Sequence, residues 1–284
     1  MSIKHHRMAF NAVDLHFVTA GQGPPLVLIH GFPQTWYQWR HVIERLADRF
    51  TIIAPDLRGI GATPGPSTGY DKHTLAGDVH AIVRHVCGDA AALVIGHDMG
   101  SFVAFAYATR FPASTAGLML VDAPPPGTTL FDSSTARPWH LAFHNARDVA
   151  EMLVAGKERP YIAQFVASRI YDSSAISEAD LDVYAAAYRA PGAMRSAFEM
   201  YRALDQDAED NRTAIAGGKF AMPVVAVGAA GRLKEETLAA MLEPITDNAR
   251  TIMIGDCGHW VSEEQPDKLV EAIVDLSVLA GAKP

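Results

Sequence analysis

The residues best placed to do chemistry are Asp98 and the four around it, in Gly96-His97-Asp98-Met99-Gly100. An apolar run over 91–95 reads as a buried strand, and helical spacing is established by 102–110. Between them, two glycines flank Asp98 with one residue on each side. A strand-to-helix turn this tight needs small neighbours, because the backbones on both sides close in on it. A carboxylate at the centre, beside the free N–H groups of a helix start, stays ionised. It can attack an sp³ carbon and form an ester, so the chemistry predicted is alkyl transfer rather than acyl transfer. An aspartate that merely caps a helix would leave the same pentapeptide.

Three more features follow short apolar runs in the same way: the turn His30-Gly31-Phe32-Pro33, Asp122 and His259. Loops after parallel strands converge at one edge of a doubly wound sheet. The order of nucleophile, acid and histidine is that of an α/β-hydrolase triad. His259, with a near-neutral pKa, suits general-base activation of the water that breaks an Asp98 ester. The loop after the next strand, Gly228-Ala229-Ala230-Gly231-Arg232, carries no carboxylate. The acid therefore has to come from elsewhere: Asp122 is favoured, and Asp256, three residues before His259, is its rival. The backbone N–H groups of Phe32 and Met99 are the expected oxyanion donors, with Pro33 fixing the first turn. Arg58, in Asp56-Leu57-Arg58-Gly59, is expected to brace loops. Ser101 lies three residues past the turn, inside the helix, which argues against an ordinary esterase.

The elements that must position these groups are legible in the pattern. Residues 8–20 alternate as one or two edge strands, and 25–29 and 51–54 are buried strands on either side of a helix over 35–50. A helix over 71–87 starts at Asp71, and a strand over 117–121 follows the Asp98 helix. From 128 to 218 only amphipathic helical stretches remain, for example at 147–155, 161–170, 178–188 and 194–204. Strands resume at 223–228 and 251–254, with helices over 234–242 and 267–279. The fold predicted is α/β: a mostly parallel doubly wound sheet, with residues 1–127 and 219–284 as the core and 128–218 as an inserted helical cap.

The 284 residues suit one such unit. A net charge of −8 argues against nucleic acid or an anionic membrane as a partner. Two cysteines, Cys87 and Cys257, make neither a disulfide framework nor a metal pattern, and no cofactor or metal is expected. No apolar run is long enough to span a membrane, and the basic start 1–7 lacks a signal-peptide core, so a soluble cytoplasmic protein is expected.

The motifs above, together with Gly258-His259-Trp260, resemble those of the epoxide hydrolase branch of the α/β-hydrolase superfamily, in which the nucleophile is Asp. In the cap, Trp139-His140, the run 155–159 and Phe198-Glu199-Met200-Tyr201-Arg202 are similar to bacterial epoxide hydrolases of the Cif type. That resemblance implies that His140 and Tyr201 polarise the epoxide oxygen, and that Phe32, Trp139, Leu141 and Trp260 contact substrate. It also implies a small-molecule epoxide and water as partners, and a homodimer. The subgroup places its acid after the strand before the cap, normally as Glu, and the matching residue here is the shorter Asp122. Tyr161, Tyr184 and Tyr188 are expected only to line the cap. A haloalkane or haloacetate dehalogenase, with the same Asp nucleophile, is the alternative. Relatives of that kind grip a carboxylate with arginines where this chain has Met99 and Phe102, and a halide with Trp where it has Leu141. A non-catalytic scaffold of this fold typically lacks a triad member, and none is missing here.

Overall fold

The computed structural model describes residues 2–132 and 138–282. Eight strands form one sheet in the order β1-β2-β4-β3-β5-β6-β7-β8. The hairpin β1 (Lys4–Phe10) and β2 (Val13–Ala20) supplies the antiparallel edge. Asn11 and Ala12, both at positive φ, make its two-residue turn. All other pairings except β2 with β4 are parallel: β3 (Pro25–Ile29), β4 (Thr51–Pro55), β5 (Ala92–His97), β6 (Thr115–Val121), β7 (Val224–Ala229) and β8 (Ala249–Ile254).

Side chains alternate across each strand, so a sheet buried on both faces needs two cores. Val27, Ile29, Ile53, Val94, Leu118 and Leu120 pack with α2 (Lys72–Cys87) and α3 (Met99–Arg110). Leu26, Leu28, Ile52, Leu93, Ile95 and Met119 pack on the other face with α1 (Arg40–Leu46) and the last helix. Asp71 caps α2 as predicted, accepting the Thr74 N–H at 2.8 Å. The helix expected over 35–50 is instead a 3-10 turn, Trp36–Trp39, followed by α1. Thr35 caps that turn, and Gln38 faces inward to accept the Gly31 N–H at 3.1 Å.

Between β6 and β7 the described chain is helical: α4 (Thr129–Asp132), α5 (Trp139–Asn145), α6 (Val149–Val154), α7 (Glu158–Ala167), α8 (Glu178–Arg189), α9 (Ala193–Arg202) and α10 (Leu204–Ala216). Residues 133–137 of the expected cap lie outside the described residues. Helix α10 was not among the predicted stretches. Its sequence is too polar for a clear apolar face, and polar ties hold it. Buried Asp207 accepts from the Lys72 backbone N–H at 2.8 Å and pairs with Lys72 Nζ at 2.7 Å, while Asn211 donates to the Pro126 carbonyl at 2.9 Å. After β7 come α11 (Glu235–Leu242), α12 (Val261–Glu264) and α13 (Pro266–Leu279). No helix among the described residues is long and apolar enough to cross a membrane.

Candidate active site

β5 runs through His97 and α3 begins at Met99, so the whole turn is Asp98, at φ +52°. A Cβ on Gly96 would meet the Gly100 carbonyl oxygen at 2.0 Å, and one on Gly100 would meet the Ile29 oxygen at 2.2 Å. Both glycines are therefore required by contact rather than by habit. Ser101 locks the turn from within the helix: its hydroxyl donates to the Gly96 carbonyl at 2.7 Å and accepts the Val121 N–H at 3.0 Å.

Asp98 does not cap α3 with its side chain. Its Oδ1 accepts the Phe32 N–H at 3.0 Å, and its Oδ2 lies 3.0 Å from His259 Nε2. Burial works against its charge, but the bond and charge of His259, the charge on His97 and the nearby Met99 amide outweigh burial and hold the carboxyl well below the usual range. His259 Nδ1 lies 2.6 Å from Asp122 Oδ2. Burial alone would lower the imidazole's pKa, but the two carboxylates win and raise it above 6.5.

Asp122, also at positive φ, directly follows β6 and is buried. Its Oδ1 accepts the Ala229 N–H at 3.0 Å, and its Oδ2 also accepts Arg232 Nε–H at 2.7 Å. The loop without a carboxylate thus contributes the cation and the amide that fix one. Asp256, by contrast, is exposed and accepts from the Tyr171 hydroxyl at 3.2 Å.

A cavity of about 560 Å³ opens onto Asp98, Asp122 and His259, walled by Met99, Phe102, Leu130, Phe131, Leu141 and Leu233. From the cap, His140 and Tyr201 reach it. The Tyr201 hydroxyl is buried and has no hydrogen-bond partner among the described residues. Burial, then the Asp98 charge, pushes its pKa well above 10, so it stays protonated. His140 is pulled down to about 4, by burial first and then by Arg169, so it is neutral.

Three expected contacts need correction. Trp139, 56% exposed, is not in the cavity wall: it opens α5, where the next residue, His140, is the one that turns inward. Trp260 is fully buried and bonds its indole N–H to the Val166 carbonyl at 3.0 Å, with its ring set against His259. The Phe32 ring is enclosed by His144, Phe165, Tyr188 and Tyr201, so only its N–H faces the site. Arg58 braces as expected, in a two-bond pair with Asp78 at 2.8 and 2.7 Å. Sequence reasoning assigned no role to Arg232 or Arg169, both of which line the cavity. It also passed over His97, whose Nε2 reaches the His259 carbonyl at 2.8 Å.

The sequence profile described as alpha/beta hydrolase fold matches residues 24–266. The chain belongs to the α/β-hydrolase family. This α/β-hydrolase is 37% identical to a soluble epoxide hydrolase of Corynebacterium sp. strain C12 over 95% of both chains. It superposes on the epoxide hydrolase CorEH with a TM-score of 0.89 at 34% identity, covering 98% of this chain and 99% of that one. The Cif epoxide hydrolase of Acinetobacter nosocomialis gives a TM-score of 0.89 over 96% of this chain and 88% of its own, at 20% identity, a likeness of fold alone.

Proposed function

We propose that this α/β-hydrolase is an epoxide hydrolase that converts an epoxide and water to a vicinal diol through an ester on Asp98. The observation that carries the reading is an ionised Asp98 facing, across an apolar cavity, two neutral donors on the cap. Asp98 Oδ2 attacks one epoxide carbon as its C–O bond breaks, and the alkoxide forms against Tyr201 Oη–H and the His140 N–H. Tyr201 lends the alkoxide a proton. His259 Nε2, freed from Oδ2, then takes a proton from water, and the hydroxide attacks the Asp98 carboxyl carbon. The resulting oxyanion grows on Oδ1, already held by the Phe32 N–H, with the Met99 N–H close by. Collapse expels the diol oxygen, which takes its proton from His259. Ionisation of the regenerated Asp98 carboxyl group replaces the proton that Tyr201 gave.

Alkylation removes one of the two negative charges that hold a proton on His259, and so prepares it as the base. Asp122 orients that base through Nδ1. The carboxylate grip of a haloacetate enzyme has no counterpart at Met99 and Phe102, which favours the epoxide. We further assign residues 128–218 as the cap over this site and place the protein in the cytoplasm, where its free Cys87 and Cys257 stay reduced. The exposed Trp139, Val149, Met152 and Leu153 on adjoining cap helices support a homodimer.

The test is a single turnover in ¹⁸O-water. Collapse of the ester leaves an Asp98 oxygen in the diol, so the first diol is unlabelled and Asp98 acquires the label. Label in the first diol means direct attack by water. Halide release from fluoroacetate or 1-haloalkanes, with no diol from a panel of epoxides, selects the dehalogenase instead.

A further inference from the structure

Arg169 follows α7, lines the cavity and has no part in the steps above. Its guanidinium lies 3.9 Å over the Phe165 ring, and Nη1 donates to the Phe165 carbonyl at 3.2 Å. Nη2 lies 2.7 Å from His140 Nδ1. Its other side-chain contact among the described residues is the Ser168 hydroxyl at 3.5 Å, so no carboxylate holds the charge in place. The Arg169 backbone carbonyl, meanwhile, accepts the His259 N–H at 2.8 Å.

We propose that Arg169 is a positioning residue that fixes His140 as the Nε2–H tautomer and, through its carbonyl, registers this cap donor against the histidine of the core. The inference rests on the epoxide-opening reading of the site. A guanidinium has five N–H donors and no acceptor. A histidine nitrogen 2.7 Å from it must therefore present its lone pair, and that nitrogen is Nδ1. The ring's one proton is then on Nε2. A second proton on Nδ1 would break the hydrogen bond and set two cations face to face. Burial and Arg169 together hold His140 near a pKa of about 4, so it stays a neutral donor at working pH. A free imidazole would divide between two tautomers, only one of which donates from Nε2.

Arg169→Met removes the side-chain donor but keeps the carbonyl, so the two links separate. Ester formation in single turnover should slow in proportion to the share of His140 that leaves the Nε2–H state, about 2-fold for an even mixture. Hydrolysis of the ester should be unchanged, because His259 keeps its backbone partner. Arg169→Lys retains a cationic donor without an acceptor and should recover most of the lost rate. In His140→Leu, Arg169→Met should cost nothing further, since coupled residues are non-additive. ¹⁵N-histidine NMR of the full-length protein reads the proton directly: Nε2–H alone in the wild type, and a mixture containing Nδ1–H in Arg169→Met.

A His140 that remains wholly Nε2–H in Arg169→Met overturns the proposal. So does an Arg169→Lys enzyme as slow as Arg169→Met, or an undiminished Arg169→Met effect in His140→Leu. A wild type that makes no diol from any epoxide would instead sink the functional reading, and the NMR result would still decide the tautomer.

Discussion

Asp122→Asn separates the two halves of the reaction, and its size follows from what surrounds the carboxylate. Oδ2 accepts from His259 Nδ1 and Arg232 Nε at 2.6 and 2.7 Å, and Oδ1 accepts the Ala229 N–H at 3.0 Å. An asparagine has one oxygen for these two positions. With its NH₂ towards Ala229, one donor faces another. With its NH₂ towards His259 and Arg232, it faces two donors, and the Arg232 guanidinium has no acceptor to offer in exchange. Arg232 therefore selects the first orientation, and His259 keeps its tautomer.

What Asp122→Asn then removes is the charge facing the imidazolium that forms during hydrolysis. A charge-assisted hydrogen bond contributes about 1.5–3 kcal/mol, which corresponds to about 10–10²-fold in rate. The wrong tautomer of a triad histidine would cost about 10⁴-fold. Ester formation, which uses Asp98 and the cap donors, should be nearly unaffected. Rapid quench with intact-protein mass spectrometry should show a full burst of adduct, heavier by the mass of the epoxide, that decays slowly. Asp256→Asn, an exposed change, should turn over like wild type. Equal losses in the two variants, or an Asp122→Asn enzyme that loses its burst, would refute the assignment. A loss near 10⁴-fold would refute the role given to Arg232.

His259→Gln should react with an epoxide and stall as the ester, mapped by peptide analysis to Asp98, whereas Asp98→Ala should give neither adduct nor diol. Tyr201→Phe should slow ester formation by about 10–10³-fold and leave ester hydrolysis alone. Tyr184→Phe should leave single-turnover rates unchanged but lower the melting temperature, because the Tyr184 hydroxyl satisfies buried Glu263 and Gln34. Ester formation should persist to low pH, since Asp98 ionises far below neutrality, while hydrolysis should fail as His259 protonates. The midpoint of that failure should lie below the His259 pKa read by NMR in the free enzyme, because the ester no longer contributes the Asp98 charge. An ester midpoint equal to the free-enzyme value would contradict this.

The core of the site was legible because it is written locally. A buried strand, a glycine pair and a helix start place Asp98, and the same run-then-loop pattern places Asp122, His259 and Phe32. The choice among tyrosines was not legible in composition or periodicity. Tyr201 and Tyr184 are both buried on amphipathic cap helices, and only the fold shows one hydroxyl left unpaired and the other bonded to Glu263. Trp139 and Trp260 misled because a large aromatic beside a functional histidine fits a cavity wall and a packing anchor equally well. Arg232 and Arg169 escaped notice because their partners are distant in sequence, at Asp122 and His140, and a lone arginine in a loop carries no periodic signal.

The loop bearing His259 hangs from the end of α7 by main-chain atoms: the Val166 carbonyl takes the Trp260 indole N–H, and the Arg169 carbonyl takes the His259 N–H. This has a bearing on how such a chain can diverge. Carbonyls are common to every residue type, so substitutions along this segment leave those two bonds available. A gained or lost residue between 166 and 169 moves both carbonyls and shifts the histidine with them. Recombination that exchanges caps between relatives should therefore tolerate wide differences in sequence here and almost none in length, while the wall formed by Leu130, Phe131 and Leu141, which among the described residues has no such tie to the His259 loop, can change size to admit new substrates.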